Sequence, residues 1–326
     1  MRLILNSAIA LCLLPFAAYA QDVAESDKES KKTLRVLFIG NSYTARHNLA
    51  SVVEAIAEER DPELDFQPTT VIYGGRRLVD HWRLGTANFV NLHRVTADQV
   101  QSTINQLTER LREEPSDKHV KSAIARQRKL LWDLDQPRRR WDVVVLQSYR
   151  DDLDGDDSLY HRYAPKFVSL ATQQKARVVL YETTPSTQNA EAMTSPPDIS
   201  PVIAKARSIA SLAKSLNASV APMSMIAHQC QTDRPDLTLR FVNDAHLNQT
   251  MAYLTACAID AAIFDRSPEG IKVDSITDIR YWENKDKSRD RDNLPITRRF
   301  NEKDRRDLQQ IVAQGIAAFA KLADVE

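Results

Sequence analysis

Two short stretches, roughly 200 residues apart, carry the residue types that acyl transfer needs. Val36-Leu37-Phe38-Ile39-Gly40-Asn41-Ser42-Tyr43-Thr44 is an apolar run that stops at a glycine and presents a serine. Asp244-Ala245-His246 sets an acid beside an imidazole near the far end of the chain. A serine becomes a nucleophile when a nearby imidazole takes its proton, and a carboxylate on the other ring nitrogen holds the useful tautomer. The same reaction needs N–H donors aimed at the oxyanion that develops. The backbone N–H of Ser42 is one candidate. Gly74-Gly75 supplies another, since glycine lets backbone approach a substrate closely.

The surrounding pattern says what positions these residues. Leu34 to Ile39 and Trp141 to Gln147 are short continuous apolar runs, as in a parallel sheet covered on both faces. Thr69 to Tyr73, Arg177 to Tyr181 and the weaker Ala218 to Ala221 add three more strands. Between them lie helical spacings: Leu49, Val52, Val53, Ile56 and Ala57 after a candidate cap at Asn48, then Tyr160 to Gln173, Pro201 to Leu216 and Thr250 to Phe264. A last amphipathic helix runs from about Asp304 to Ala323, with Asn301 as its cap. Residues 96–135 hold two charged helical segments and are long for a crossover. They read as an enlarged crossover or as an inserted helical hairpin over the site. Alternating strands and helices imply one parallel sheet, and ligands bind such sheets at the carboxyl ends of the strands. Ser42, Gly74-Gly75 and Gln147-Ser148 each follow a strand, and His246 falls in the loop before a helix. All four therefore belong to one edge.

Other features bound the function. The chain has 326 residues, 44 basic and 44 acidic, for a formal net charge of zero. That argues against an electrostatic nucleic-acid binder, and the Arg138-Arg139-Arg140 run reads as a solvated face. Residues 1–20 have the form of a secretory signal peptide, with Arg2 at the start, an apolar stretch from Leu3 to Ala18 and a cleavage site at Ala18-Tyr19-Ala20. Residues 21–33 form a polar lead-in, and 34–326 the folded domain. The expected location is periplasmic or extracellular, with no stable membrane anchor. Cys230 and Cys257 are either one disulfide or two buried thiols. Arg46 and His47 read as surface groups where the helix after Ser42 begins. His81-Trp82 lines the cleft or packs beneath it. Tyr181-Glu182-Thr183-Thr184 is a candidate floor, and Asp151 to Asp157 a solvated acidic loop without calcium-ligand spacing.

Gly40-Asn41-Ser42-Tyr43-Thr44 resembles the first block of the SGNH/GDSL hydrolases, Gly74-Gly75-Arg76-Arg77-Leu78 the second, and Asp244-Ala245-His246-Leu247-Asn248 the fifth. The resemblance spans about residues 33–270, with the specific motifs confined to these stretches. It implies a flavodoxin-like three-layer α/β sandwich with a central parallel sheet of about five strands, and a secreted esterase that needs no cofactor and no metal. It implies Ser42 as nucleophile, His246 as base, Asp244 as orienter and an oxyanion hole from Ser42 and Gly75. Two departures stand out. The third block of the family reads Gly-x-Asn-Asp, whereas this strand ends Leu146-Gln147-Ser148, so Gln147 is the amide available to complete the hole. The family spaces its acid Asp-x-x-His, a position held here by Asn243, so Asn243 is the alternative orienter. The expected substrate is a small-molecule or glycan ester. The alternative is a non-catalytic glycan- or protein-binding module on the same fold.

Overall fold

The computed structural model describes residues 31–149, 157–184, 187–279 and 285–323. The leader, most of the lead-in and acidic residues 151–156 lie outside the described residues. In chain order the elements are β1 (Lys32–Gly40), α1 (Ser42–Ala45), α2 (Leu49–Arg60), β2 (Leu64–Ile72), α3 (Leu78–Arg83), α4 (Thr86–Val90), α5 (Ala97–Glu113), α6 (Lys118–Asp133) and β3 (Val143–Gln147). Then come α7 (Leu159–Thr172), β4 (Arg177–Glu182), α8 (Ser200–Leu216), β5 (Ser219–Pro222), α9 (Met223–Asp233), β6 (Arg240–Phe241) and β7 (Asp244–Leu247). The chain finishes with α10 (Gln249–Phe264), β8 (Ser275–Thr277), β9 (Thr297–Arg299) and α11 (Glu302–Ala323).

The central sheet runs β2-β1-β3-β4-β5, all parallel. Both faces are dry because successive strand residues point to opposite sides. Val36, Phe38, Val143 and Val145 enter one core with α2 and α10, while Leu37, Ile39, Val144 and Leu146 enter the other with α5 to α8. This is a three-layer sandwich of the flavodoxin-like kind. Strand order reverses between β1 and β3, so their carboxyl ends open a crevice. Ser42 follows β1 at that point, and Gln147 closes β3.

Several expectations are corrected. β2 begins five residues earlier than its apolar run, because an edge strand tolerates Pro68 and the polar Asp65 and Gln67. His246 sits on β7, half of a short antiparallel pair with β6, and not in a loop. Helix α9 follows β5 directly and has no strong periodicity to announce it. Asn48 stands at the start of α2 with φ of 51° and makes no side-chain cap, whereas Asn301 does cap α11, accepting from Asp304 N at 2.8 Å. Cys230 and Cys257 are free and buried, and burial pushes the Cys230 thiol up to about 12. No helix among the described residues is long and apolar enough to cross a membrane.

Candidate active site

Ser42 opens the short helix α1, straight after β1. The turn is tight. A Cβ on Gly40 would run into Gln147 Oε1 and Thr44 Oγ1, so only glycine fits at the strand end. Asn41 then caps α1, its Oδ1 accepting from Tyr43 N at 3.0 Å. The Ser42 hydroxyl lies 2.7 Å from His246 Nε2. His246 Nδ1 meets Asp244 Oδ1, and the same oxygen accepts from the His246 backbone N at 3.0 Å. Asn243 is exposed, so Asp244 is the residue against the ring. The one-residue shift from the family spacing is absorbed by the β6–β7 turn, which folds the carboxylate back onto its own strand. Tyr43 stitches the two halves together: its hydroxyl donates to Ala245 O at 2.7 Å, and its ring centroid is 5.4 Å from that of His246.

The imidazole is partly open, with 28 % of its side chain exposed. Burial and the Arg46 guanidinium push it down to about 4. Asp278 pulls the other way, as does any carboxylate in direct contact. The direction leaves the ring neutral at neutral pH, the state in which Nε2 accepts a proton.

Gly75 has φ of 67°, in a turn closed by Arg76 N donating to Tyr73 O at 3.1 Å. That left-handed φ suits glycine. Asn41 Nδ2 donates to Arg76 O at 3.1 Å and so ties this turn to the Ser42 loop. Open space surrounds Gly74 and Gly75.

Gln147 departs from the expected oxyanion role. Its Oε1 accepts from Asn41 N at 2.9 Å, Thr44 N at 3.1 Å and Thr44 Oγ1 at 2.6 Å. Its Nε2 donates to Asn41 Oδ1 and to Ser148 O, both at 2.8 Å. The amide is therefore engaged on both ends beneath the nucleophile loop and braces it from below. The longer side chain is the reason: a glutamine at the end of β3 reaches under β1, to atoms that hold the Ser42 turn.

Arg46 and His47 also correct their expectation. They are 3 % and 2 % exposed, not surface groups. Arg46 Nη2 reaches Asp244 Oδ2 at 3.0 Å, and its Nη1 lies 3.8 Å from Asp278 Oδ1. His47, at φ of 57°, donates from Nε2 to Leu247 O at 2.8 Å and turns Nδ1 toward Asp278 Oδ1 at 3.4 Å. Burial holds its imidazole down at about 4 and pushes the Asp278 carboxyl up to about 6. Arg291 adds a second guanidinium on Asp244 Oδ2. Sequence reasoning missed Asp278 and Arg291, since both follow the last helix of the sheet layer in a stretch without periodicity. The polar pair Arg46-His47, directly behind a nucleophile turn, was the one signal available.

His81 packs beneath the site: it is buried, with Nε2 donating to Gly40 O at 3.0 Å, while Trp82 meets Phe167 edge-on. Glu182 is wholly buried and accepts from Ser224 Oγ at 2.5 Å and Ser224 N at 3.2 Å, which makes it a brace between β4 and α9. Among the described residues no cluster of three His, Cys, Asp or Glu side chains could hold a metal ion.

No family model and no curated protein matches the chain. Solved structures do resemble it. One, from Slackia heliotrinireducens, carries the description "a putative SGNH hydrolase"; it is 15 % identical over 71 % of this chain and all of that one, with a TM-score of 0.45. A DUF4886 family protein from Bacteroides uniformis is 12 % identical over 88 % of this chain and 95 % of its own, with a TM-score of 0.46. A gut microbial diltiazem-metabolizing enzyme is 14 % identical over 72 % of this chain and 47 % of its own, at 0.37. The architecture rests on the strand order itself, and the chain is similar to these proteins at the level of the fold.

Proposed function

We propose that the protein is an exported serine esterase, a divergent member of the SGNH/GDSL hydrolases. The observation that carries the reading is the continuous chain from the Ser42 hydroxyl through His246 to Asp244, at a sheet's topological switch point. Ser42 Oγ attacks the ester carbonyl carbon as its proton passes to His246 Nε2. The N–H groups of Ser42 and Gly75 receive the oxyanion. The imidazolium, held by Asp244, gives the proton to the departing alcohol. Water then attacks the acyl-enzyme, with the same ring as base, and the carboxylic acid leaves. The leader-like residues 1–20 support export, and an exported esterase meets acyl groups on glycans. Acetyl-ester turnover should vanish in Ser42→Ala protein, along with stoichiometric labelling by a fluorophosphonate; turnover that survives the substitution refutes the mechanism.

One observation favours the second reading, a glycan- or protein-binding module on this fold. Gln147 is occupied, which leaves the oxyanion to backbone donors alone. Well-folded protein that takes no fluorophosphonate label would select it.

A further inference from the structure

The Asp244 carboxylate has two oxygens, and the imidazole occupies one. The other receives two guanidiniums, from Arg46 and Arg291. They arrive from opposite ends of the chain. Arg46 lies four residues beyond Ser42, with 4 % of its side chain exposed. Arg291 belongs to the strap of residues 285–296 that leads into β9, and this strap is anchored separately. Val242 N donates to the Asp292 carboxylate at 3.0 and 3.1 Å, and Gln249 Nε2 donates to Asp290 Oδ2 at 3.2 Å. Asp290 Oδ1 in turn accepts from Asp292 N at 3.0 Å and Leu294 N at 2.9 Å.

Two cations on one oxygen repel each other. Burial first, and the neighbouring Arg46 second, push the Arg291 guanidinium down to about 10. Gathering like charges in a partly buried place is not a route to stability. It does make sense for orientation, because two donors approaching one oxygen from different elements fix the carboxylate plane that the imidazole reads. The charged and titratable groups around His246 are then Asp244 on its own strand, Tyr43, Arg46 and His47 from the Ser42 side, Asp278 after β8, and Arg291 from the strap.

We propose that Arg46 and Arg291 are positioning residues of the hydrolase, which together lock the Asp244 carboxylate against His246. This rests on the esterase reading. The division of labour is unequal. Arg291 acts on orientation alone. Arg46 acts on orientation and, as a neighbouring cation, on the charge felt by the ring.

The test is p-nitrophenyl acetate hydrolysis by the full chain from pH 4 to 9. Arg291→Met should lower kcat about 10–100-fold with KM held within about twofold, short of the ~10⁴-fold that losing a triad acid costs. Arg46→Met should do the same and also move the acid limb of kcat/KM upward by about one pH unit, because removing a neighbouring cation makes the ring easier to protonate. Arg46→Lys keeps the charge, so its limb should stay in place while kcat falls. It also serves if the Met variant does not fold. An acid limb that does not move in Arg46→Met, or variants with wild-type kcat, overturns the proposal. Turnover surviving in Ser42→Ala instead defeats the serine mechanism beneath it, so the two failures are separable.

Discussion

Gln147→Leu tests whether this glutamine braces the nucleophile loop or serves the oxyanion. The side chain is 3 % exposed and takes part in five hydrogen bonds. Leucine fills a similar volume and offers none. Some partners have a second bond to fall back on: Thr44 N also donates to Asn41 O at 3.1 Å, and Asn41 Oδ1 keeps Tyr43 N. The Asn41 N–H and the Thr44 hydroxyl lose their acceptor. Two stranded buried donors cost about 1–3 kcal/mol each, and the more apolar leucine returns about 1–2 kcal/mol. The net loss is centred at about 2–3 kcal/mol, a sizeable part of the roughly 5–15 kcal/mol that holds a domain together. At about 2–4 °C per kcal/mol for a chain of this size class, the midpoint should fall by about 5–10 °C. Differential scanning calorimetry reads that shift, and steady-state kinetics well below the new midpoint reads the chemistry. A midpoint within about 2 °C of wild type, joined to a 10²–10³-fold fall in kcat, is the signature of a lost oxyanion donor. That result would refute the bracing argument.

Three further outcomes are expected. Gly75→Ala meets no steric obstacle but must hold φ at 67°, at a cost of about 1–2 kcal/mol. A turn that relaxes takes its N–H off the oxyanion, so kcat should fall about 10²–10³-fold with a small midpoint change; unaltered kcat would remove Gly75 from the mechanism. Asp244→Asn should lower kcat about 10⁴-fold, while Asn243→Ala leaves it within about twofold, and the reverse ranking in ester kinetics would exchange their roles. Acid should weaken the fold. His47, His81 and His246 are held down at about 4, so their contribution is complete above about pH 6.5 and is lost as pH falls through about 4. Asp278, raised to about 6, works against this by favouring the folded state as it takes up its proton. Urea midpoints should therefore drop between pH 7 and 5, and drop more steeply in Asp278→Asn; a flat profile in that variant would contradict the assignment.

The sheet and the order of its helices were legible because the buried strands are unbroken apolar runs and the helices keep their 3.6 period. β2 was read short since polar residues on an edge strand hide its first half. The meeting of Ser42, His246 and Asp244 in one place was legible too, through motif spacing and the rule that ligands gather at strand ends. What surrounds them was not. The side-chain reach of Gln147 depends on a gap of one methylene, which no pattern encodes. Arg46 and His47 look like any solvated polar pair until β7 and the segment after β8 bury them. Arg291 lies 47 residues past Asp244, so its contact comes from tertiary folding alone.

The hydroxyl and the imidazole that serve each other are separated by 204 positions along the chain. Contacts so distant in sequence close only after the intervening layers have assembled. A chain caught midway carries an ordinary alcohol and an ordinary ring. On the esterase reading, reactivity toward acyl groups thus arrives with the finished fold, and a covalent serine probe doubles as a reporter of how much of a sample has reached it.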